Sequence, residues 1–525
     1  MVSASRFAAG QLLWPGWMQA DRAEKTDGFF PMQDQRQASQ FPSEPVVASA
    51  EKLPLCVDFD GTLIRTDSLY ECFVVAARLY PLQLLVLLPL MFRSRAGFKA
   101  ALWRLVAKDV SVSLFPREPA VVELVERAKA EGRQVDLVSA ADGHLLRSDP
   151  SLVAMFDNVV GSDGAHNLKG PAKAQALAER HPDGFAYVGD SSADIPVFAA
   201  AKRGYGVRLS SQAESAIRSE GHPVERLIPR ESRVPALLRA MRLHQWFKNI
   251  LIFVPAGLAL DALYPAEVAR VAFGFVLLGV LASATYIIND LFDLNSDRAH
   301  PRKSKRPLAS GVLPLPWAVI SAPLMIVAAL VLAFFIEPRF GGVLLAYLVT
   351  TLAYSFRLKQ TPVVDVLVIG FLFALRVVAG MTLVSQHASQ WLLIFSVFFF
   401  TGLAFMKRDA EIATLIERSQ HALKGRGYTV QDRPFVQIAG ISTSIASLVI
   451  FSLFIVAVFE GGSQYSSPYF LWVAYFVLAY WMLRLWFMTA RGHMHDDPIV
   501  YAIKDRKSLF LFLVIGLFAA LAQIV

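Results

Sequence analysis

Cysteine is nearly missing from this chain: its 525 residues include two, Cys56 and Cys72. They match no zinc-ligand spacing and give no reason to expect a disulfide framework. Charge is also sparse, with 18% charged residues against 55% hydrophobic ones. The first half reads as soluble, so that balance requires a strongly apolar second half. The first fifty residues lack an apolar core of signal-peptide length. Their Gln, Ser and Ala, with mixed charge, predict a disordered cytosolic tail over 1–50.

What is present begins with apolar runs of transmembrane length, about nine of them. They start near Phe247, Val268, Trp317, Phe340, Val363, Trp391, Ile438, Tyr469 and Leu509. The loops between them alternate in charge. One set carries Arg298, Arg302, Lys303, Lys305, Arg306, Arg357, Lys359, Lys407, Arg408, Lys424, Arg426 and Arg506; the other has little beyond Arg270 and Arg339. The positive-inside rule puts the first set in the cytosol, with the N-terminal half. The expected location is the bacterial cytoplasmic (inner) membrane, multi-pass, with both candidate sites cytosolic.

At the end of one apolar run stand Asn289, Asp290, Asp293 and Asp297. In a helix Asn289, Asp293 and Asp297 fall at i, i+4 and i+8 on one face, with Asp290 beside them. Carboxylates so close at a membrane edge repel one another unless a cation sits among them. Oxygen-only ligands suit Mg²⁺ carrying a substrate phosphate, so Asp290, Asp293 and Asp297 are the expected ligands. Donors for a leaving diphosphate are expected from Arg306 or Lys305 just downstream. Lys248 and Asn249 precede the first run, and Tyr354 and Lys359 lie at the same membrane face. Within the fifth run, Asp365 and Arg376 share a helix face. Intramembrane charges of this kind line a cavity or pair with something.

These residues resemble the UbiA superfamily of intramembrane prenyltransferases, over roughly Arg233 to Val525. The resemblance implies two Asp-rich motifs holding Mg²⁺ and a diphosphate in a helical cavity open to cytosol and lipid. The second motif departs from the family pattern: Asp365 takes its first position, but Val366 to Ile369 supply no second carboxylate. The decaprenyl-phosphate phosphoribosyltransferase branch fits better, through Lys248-Asn249, Asn289 to Pro301, Arg306-Pro307, Tyr354-Ser355, Lys359, Asp365 with Arg376, Lys407-Arg408 and Glu411, and Asp505-Arg506. It implies transfer of 5-phosphoribosyl from phosphoribosyl diphosphate to a polyprenyl phosphate. Asp290 and Asp293 would act in catalysis, while Lys248, Asn249, Asn289, Lys305, Arg306, Tyr354, Lys359, Asp365, Arg376, Lys407 and Arg408 would bind substrate.

In the first half, Leu53 to Asp58, Val135 to Ser139 and Phe185 to Gly189 read as strands whose tips carry Asp58 and Asp60, Ser139, and Asp190 with Asp194. Strands alternating with helical stretches imply a parallel sheet, whose sites gather at carboxyl ends. With Lys173, or less readily Lys169, the set resembles the haloacid-dehalogenase superfamily of phosphatases. By that resemblance Asp58 is the nucleophile and Asp60 the general acid/base. Ser139 and Lys173 handle the phosphoryl group, and Asp58, Asp190 and Asp194 hold Mg²⁺. Residues 67–116 would form a helical cap. Its apolar stretch Phe73 to Phe92 is either a span or, given Arg78, Pro81 and Pro89, a helix-turn-helix resting on the membrane.

The expected fold is therefore multidomain. An α/β haloacid-dehalogenase-like Rossmannoid domain with a helical cap (51–221) precedes a linker with an interfacial helix (222–242). An all-α polytopic UbiA-like domain (243–525) follows. Expected partners are a polyprenyl phosphate lipid, phosphoribosyl diphosphate and the membrane, with no nucleic acid; the sequence does not set the oligomeric state. The soluble domain would dephosphorylate the lipid product. The alternative is prenyl transfer from a polyprenyl diphosphate to an aromatic acceptor, beside an independent small-molecule phosphatase. A non-catalytic scaffold is the remaining rival.

Overall fold

The structure is a computed structural model that describes residues 52–258, 264–385, 390–417, 426–460, 465–494 and 497–524. The expected tail over 1–50 and Lys424 lie outside the described residues.

Six strands form one parallel sheet in the order β3-β2-β1-β4-β5-β6. They are β1 Leu55–Val57, β2 Val135–Asp142, β3 Asn158–Ser162, β4 Ala186–Gly189, β5 Arg203–Val207 and β6 Val224–Ile228. Central strands covered on both faces are apolar throughout, and Leu55, Cys56 and Val57 are fully buried. From β1 the chain moves to β2 on one side and later returns to β4 on the other. That switch point opens a crevice at the carboxyl ends of the strands. The sheet also runs past residue 221. β6 pairs with β5 inside the stretch expected to be linker, where a short, half-exposed edge strand leaves little hydrophobic signal.

Between β1 and β2 lie three cap helices: α1 Ser68–Leu79, α2 Pro81–Arg93 and α3 Arg95–Val106. Asp67 caps α1 by accepting from the N–H groups of Leu69 and Tyr70. The apolar cap stretch is broken at Tyr80 and Pro81, so α2 has 13 residues. At 1.5 Å per residue that is about 20 Å, too short for a hydrocarbon core of about 30 Å. α2 nevertheless turns an apolar face outward, with Phe92 85% and Val86 78% exposed.

The second half contains eight helices long and apolar enough to cross a membrane among the described residues. They are Pro265–Phe292, Leu315–Ile336, Pro338–Phe356, Val364–Met381, Gln390–Glu417, Arg433–Glu460, Tyr469–Ala490 and Arg506–Ile524. The run expected to start the series near Phe247 instead forms a 3-10 helix, Leu243–Phe253, and a short α-helical piece, Val254–Gly257. The tighter coil rises about 2.0 Å per residue, so fewer residues cover the same depth. It also lies main chain against helix Val364–Met381: a Cβ on Gly380 would sit 2.1 Å from the Ile252 carbonyl.

The two halves meet at the cap. Val74 of α1 belongs to one buried cluster with Ile287, Leu291, Leu308, Leu313 and Ala318. The Arg78 guanidinium donates to the Phe292 carbonyl.

Candidate functional site

Two groups of chemistry-bearing side chains stand out. The first lies at the carboxyl edge of the sheet. Asp58 follows β1 and accepts from the Phe59 N–H at 2.8 Å. Lys173, on helix Pro171–Arg180, places Nζ 3.0 Å from Asp58 and 3.4 Å from Asp194. It also donates to the Tyr187 hydroxyl at 3.1 Å. The amine against the nucleophile position thus belongs to Lys173, not Lys169. The Ser191 hydroxyl donates to Asp194 at 3.0 Å. Each of Asp58, Asp190 and Asp194 offers an oxygen, and all three lie within 4.8 Å of one another. Gly61 makes this approach possible. Its φ is +72°, and a Cβ there would fall 2.2 Å from the Asp190 carboxylate. The pairing of Val57 with Leu137 brings Ser139 to the same edge, where its Oγ accepts from the Ala141 N–H at 3.2 Å.

Burial raises the pKa of Asp58 and Asp190, in each case reinforced by a neighbouring carboxylate. Lys173 opposes this; burial would lower its own pKa, but Asp58 and Asp194 hold it above its ordinary value. Asp60 accepts from the Ser68 N–H at 2.7 Å and the Ser68 hydroxyl at 3.0 Å. Burial, then the Asp67 charge, push it up to about 8. A carboxyl kept protonated near neutral pH can donate a proton to a leaving group. One group at this edge escaped the sequence reading. Lys99 of α3 reaches over to the Ala140 carbonyl at 2.7 Å, and only folding places the cap there.

The second group lies at the end of the helical bundle that carries the Asp-rich motif. Helix Pro265–Phe292 stops at Asp293, and a short helix Leu294–Arg298 continues its course. The expected trio does not converge on one point. Asp290 pairs with Arg242 at 2.5 Å and Arg306 at 3.1 Å. Asp297 pairs with the same Arg306 at 2.5 Å. Asp293 lies apart, 3.1 Å from the Asn289 amide nitrogen and 3.7 Å from Lys359. The carboxylates of Asp290 and Asp297 meet on one nitrogen of Arg306, while Asp293, at the break between the two helices, lies beside Lys359. Lys305 points to the surface. Arg242, which the sequence places in the basic stretch before the first apolar run, adopts φ +52°, a conformation disfavoured for a residue with a side chain and met at functional sites.

Beyond Arg242 the polar lining continues. Arg376 donates to Asn249 and to the Tyr347 hydroxyl, both at 3.0 Å. Lys248 and Lys407 converge on Asp497, at 3.5 and 2.9 Å. Burial alone would raise the Asp497 pKa, but Lys407 and Lys248 hold it down to about 2. Asp497 also caps helix Pro498–Lys504, accepting from the Ile499 N–H at 3.1 Å, and its convergence with the two lysines appears only in the fold.

Asp365 pairs elsewhere than with Arg376. Fully buried, it accepts from Arg408 at 2.7 Å and from the Tyr428 hydroxyl at 2.7 Å. Arg408 is equally buried and also pairs with Glu411. The two residues belong to one buried network of ion pairs and hydrogen bonds. Tyr354 borders that network, its hydroxyl 3.4 Å from Arg408 and 3.3 Å from Arg426. Deeper in the bundle is an apolar cavity of about 400 Å³, lined by Leu251, Pro255, Met381, Phe399, Leu478 and Phe512 among others.

Comparison with known proteins agrees with this division. Residues 250–516 match the UbiA prenyltransferase family, and residues 55–199 match haloacid dehalogenase-like hydrolases. The uncharacterized protein y4nM of Sinorhizobium fredii is 40% identical over 461 residues, covering 88% of this chain and 89% of its own. The decaprenyl-phosphate phosphoribosyltransferase of Mycolicibacterium smegmatis is 30% identical, covering 54% of this chain and 91% of its own. A solved UbiA homolog from Archaeoglobus fulgidus, bound to DMAPP and Mg²⁺, is 16% identical with a TM-score of 0.43, covering 55% of this chain and 97% of its own.

Proposed function

The chain belongs to the UbiA prenyltransferase family, and from that premise we propose a two-step enzyme. The membrane half transfers 5-phosphoribosyl from phosphoribosyl diphosphate to a polyprenyl phosphate. The sheet domain then removes the 5-phosphate from the lipid product. The observation that carries this reading is the wealth of cations around the Asp-rich motif. Arg242, Arg306 and Lys359 surround the carboxylates, and Lys248 and Lys407 form a second cationic pair. One diphosphate does not call for so many donors, whereas phosphoribosyl diphosphate adds a 5-phosphate and the acceptor adds another. The likeness to a decaprenyl-phosphate phosphoribosyltransferase supports the same choice.

In the transfer, an oxygen of the lipid phosphate attacks the anomeric carbon as the bond to diphosphate breaks. Arg306 and Lys359 would stabilise the charge gathering on the leaving group. Asp290, Asp293 and Asp297 would hold Mg²⁺ once Arg306 exchanges its carboxylate partners for diphosphate oxygens. The apolar cavity is suited to a polyprenyl chain.

In the hydrolysis, Asp58 attacks phosphorus while Asp60 protonates the departing sugar oxygen. Asp60 then takes a proton from water, which releases phosphate from Asp58. Three carboxylates at one edge form an oxygen-only donor set that fits Mg²⁺. When bound there, the ion would supply positive charge to the phosphoryl oxygens. Lys173 would neutralise further charge, and Ser139 would orient the phosphoryl group.

The positive loops support a cytosolic position for both sites under the positive-inside rule. The outward apolar face of α2 supports a cap that rests on the bilayer, where a lipid-linked substrate is presented.

The test is purified protein with Mg²⁺, phosphoribosyl diphosphate and a polyprenyl phosphate, comparing wild type with Asp58→Asn by lipid mass spectrometry. Phosphoribosyl lipid from the variant and ribosyl lipid from wild type are expected. A prenylated hydroxybenzoate, with no ribose-bearing lipid from either protein, would replace this reading with aromatic prenylation.

A further inference from the structure

Helix α1 touches both sites. At its first turn Ser68 donates to Asp60, the proposed acid of the phosphatase, through both its N–H and its hydroxyl. Glu71, three residues on, is buried and accepts from the Thr66 hydroxyl at 2.6 Å. Its carboxylate also receives both terminal nitrogens of Arg298, at 2.6 and 3.1 Å, across 227 residues of sequence. Arg298 directly follows Asp297 of the Asp-rich motif.

The remaining nitrogen of Arg298 is also occupied. Nε donates to the Ala309 carbonyl at 3.2 Å, and the guanidinium lies 5.7 Å from the Phe115 ring centroid. Ala309 belongs to the loop that carries Arg306, the residue bridging Asp290 and Asp297. The loop is seated on the phosphatase domain. Leu308, Ala309 and Leu313 are buried, and at Gly311, with φ +74°, a Cβ would lie 2.5 Å from the Arg65 side chain.

We propose that Glu71, a residue of the phosphatase cap, is a positioning residue of the transferase site, acting through Arg298 to hold the loop that carries Arg306. The proposal rests on reading the Asp290 to Asp297 motif as a diphosphate site. Domain adhesion alone is a poor account of the pair. The side chains of Arg298 and Glu71 are 4% and 3% exposed. At such burial desolvation offsets most of the attraction, so packed apolar residues would hold the domains together equally well. A bidentate guanidinium–carboxylate pair instead fixes orientation, and here it aims Nε at the loop. The transferase motif would thus be set from outside the membrane half, by the same helix that hydrogen-bonds the phosphatase acid.

The test uses the full-length protein in nanodiscs and the calorimetric affinity of inorganic diphosphate in the presence of Mg²⁺, a readout independent of turnover. The informative variant is the double replacement Glu71→Met with Arg298→Met, which keeps volume and removes both charges. Its thermal transition is expected to stay near wild type while diphosphate binding weakens about tenfold, the size typical of lost outer-shell support at a metal site. Wild-type affinity in that variant would show adhesion only and overturn the proposal. If the double variant loses its transition, Arg298→Lys decides by the same readout: it keeps the charge but loses the bidentate pair and the Nε bond. Weakened binding supports positioning, and unchanged binding overturns it. Diphosphate that fails to bind wild type strikes the reading of the site itself, and the proposal falls with it.

Discussion

The two sites are both built from aspartates, yet they treat charge in opposite ways. At the sheet edge, Asp58, Asp190 and Asp194 converge within 4.8 Å with a buried lysine against two of them. At the membrane edge, Asp290 and Asp297 share an arginine and Asp293 stands beside a lysine. The difference follows from topology. Adjacent parallel strands deliver residues from separate parts of the chain to one point. A helical motif takes its carboxylates from one short stretch, here Asp290 to Asp297 across a break at Asp293. At the sheet edge three carboxylates are gathered against one lysine, whereas at the membrane motif each carboxylate has a basic partner of its own or shares Arg306.

The comparison breaks most visibly at Asp58. Asp58→Asn is expected to lower phosphate release by roughly 10³-fold or more, while phosphoribosyl transfer stays within about twofold of wild type. Both can be followed in one lipid assay, and a parallel fall in transfer would mean the sites are not separable. Next in size is the buried pair that sequence placed in the site. Arg408→Ala leaves Asp365 charged and uncompensated, which should cost about 3–5 kcal/mol by thermal or denaturant unfolding. A variant that keeps its stability but loses substrate affinity would show that the pair serves binding rather than the fold. Arg306→Ala is expected to reduce transfer by roughly 10²-fold, the scale of one lost donor to developing charge. Lysine at 306 should recover only part, since one ammonium cannot repeat a guanidinium bridge. The smallest effect tests the gathered site. Gly61→Ala should cost about 1–2 kcal/mol for its left-handed backbone and weaken Mg²⁺-dependent phosphate release by displacing Asp190. An alanine that changes neither would mean that Asp190 does not need its present position.

The phosphatase edge was legible because its residues sit at strand tips in a recurring order. Asp58, Asp190 and Asp194 could be brought to one edge from motif and pattern, whereas the choice of Lys173 over Lys169 needed the fold. The membrane motif was legible in composition but not in geometry. Its i, i+4, i+8 spacing suggested a shared metal point, and the structure shows Asp290 and Asp297 joined by Arg306 with Asp293 apart beside Lys359. Asp365 was legible as an intramembrane charge, but its partners Arg408 and Tyr428 were not, since they lie 43 and 63 residues away. Arg242 was legible as a basic residue before the first run but not as the partner of Asp290; Lys99 and Asp497 were not legible at all. Each gains its place through partners far away in sequence, as Asp497 does from Lys248 across 249 residues. β6 was missed because a short edge strand has too few buried positions to alternate visibly.

The apolar seam around Val74 bears on how such a chain can be divided. One cluster joins Val74 of the cap to Ile287, Leu291, Leu308 and Leu313 of the membrane half, and Ala236 and Ala240 of the connecting helix complete it. Separating the halves between β6 and that helix would expose Val74 on one fragment and the facing side chains of the cluster on the other. Recombination that shuffles these halves among other genes would therefore have to exchange the seam along with the catalytic residues. Fusion here is an inheritance written into surface as well as into reading frame.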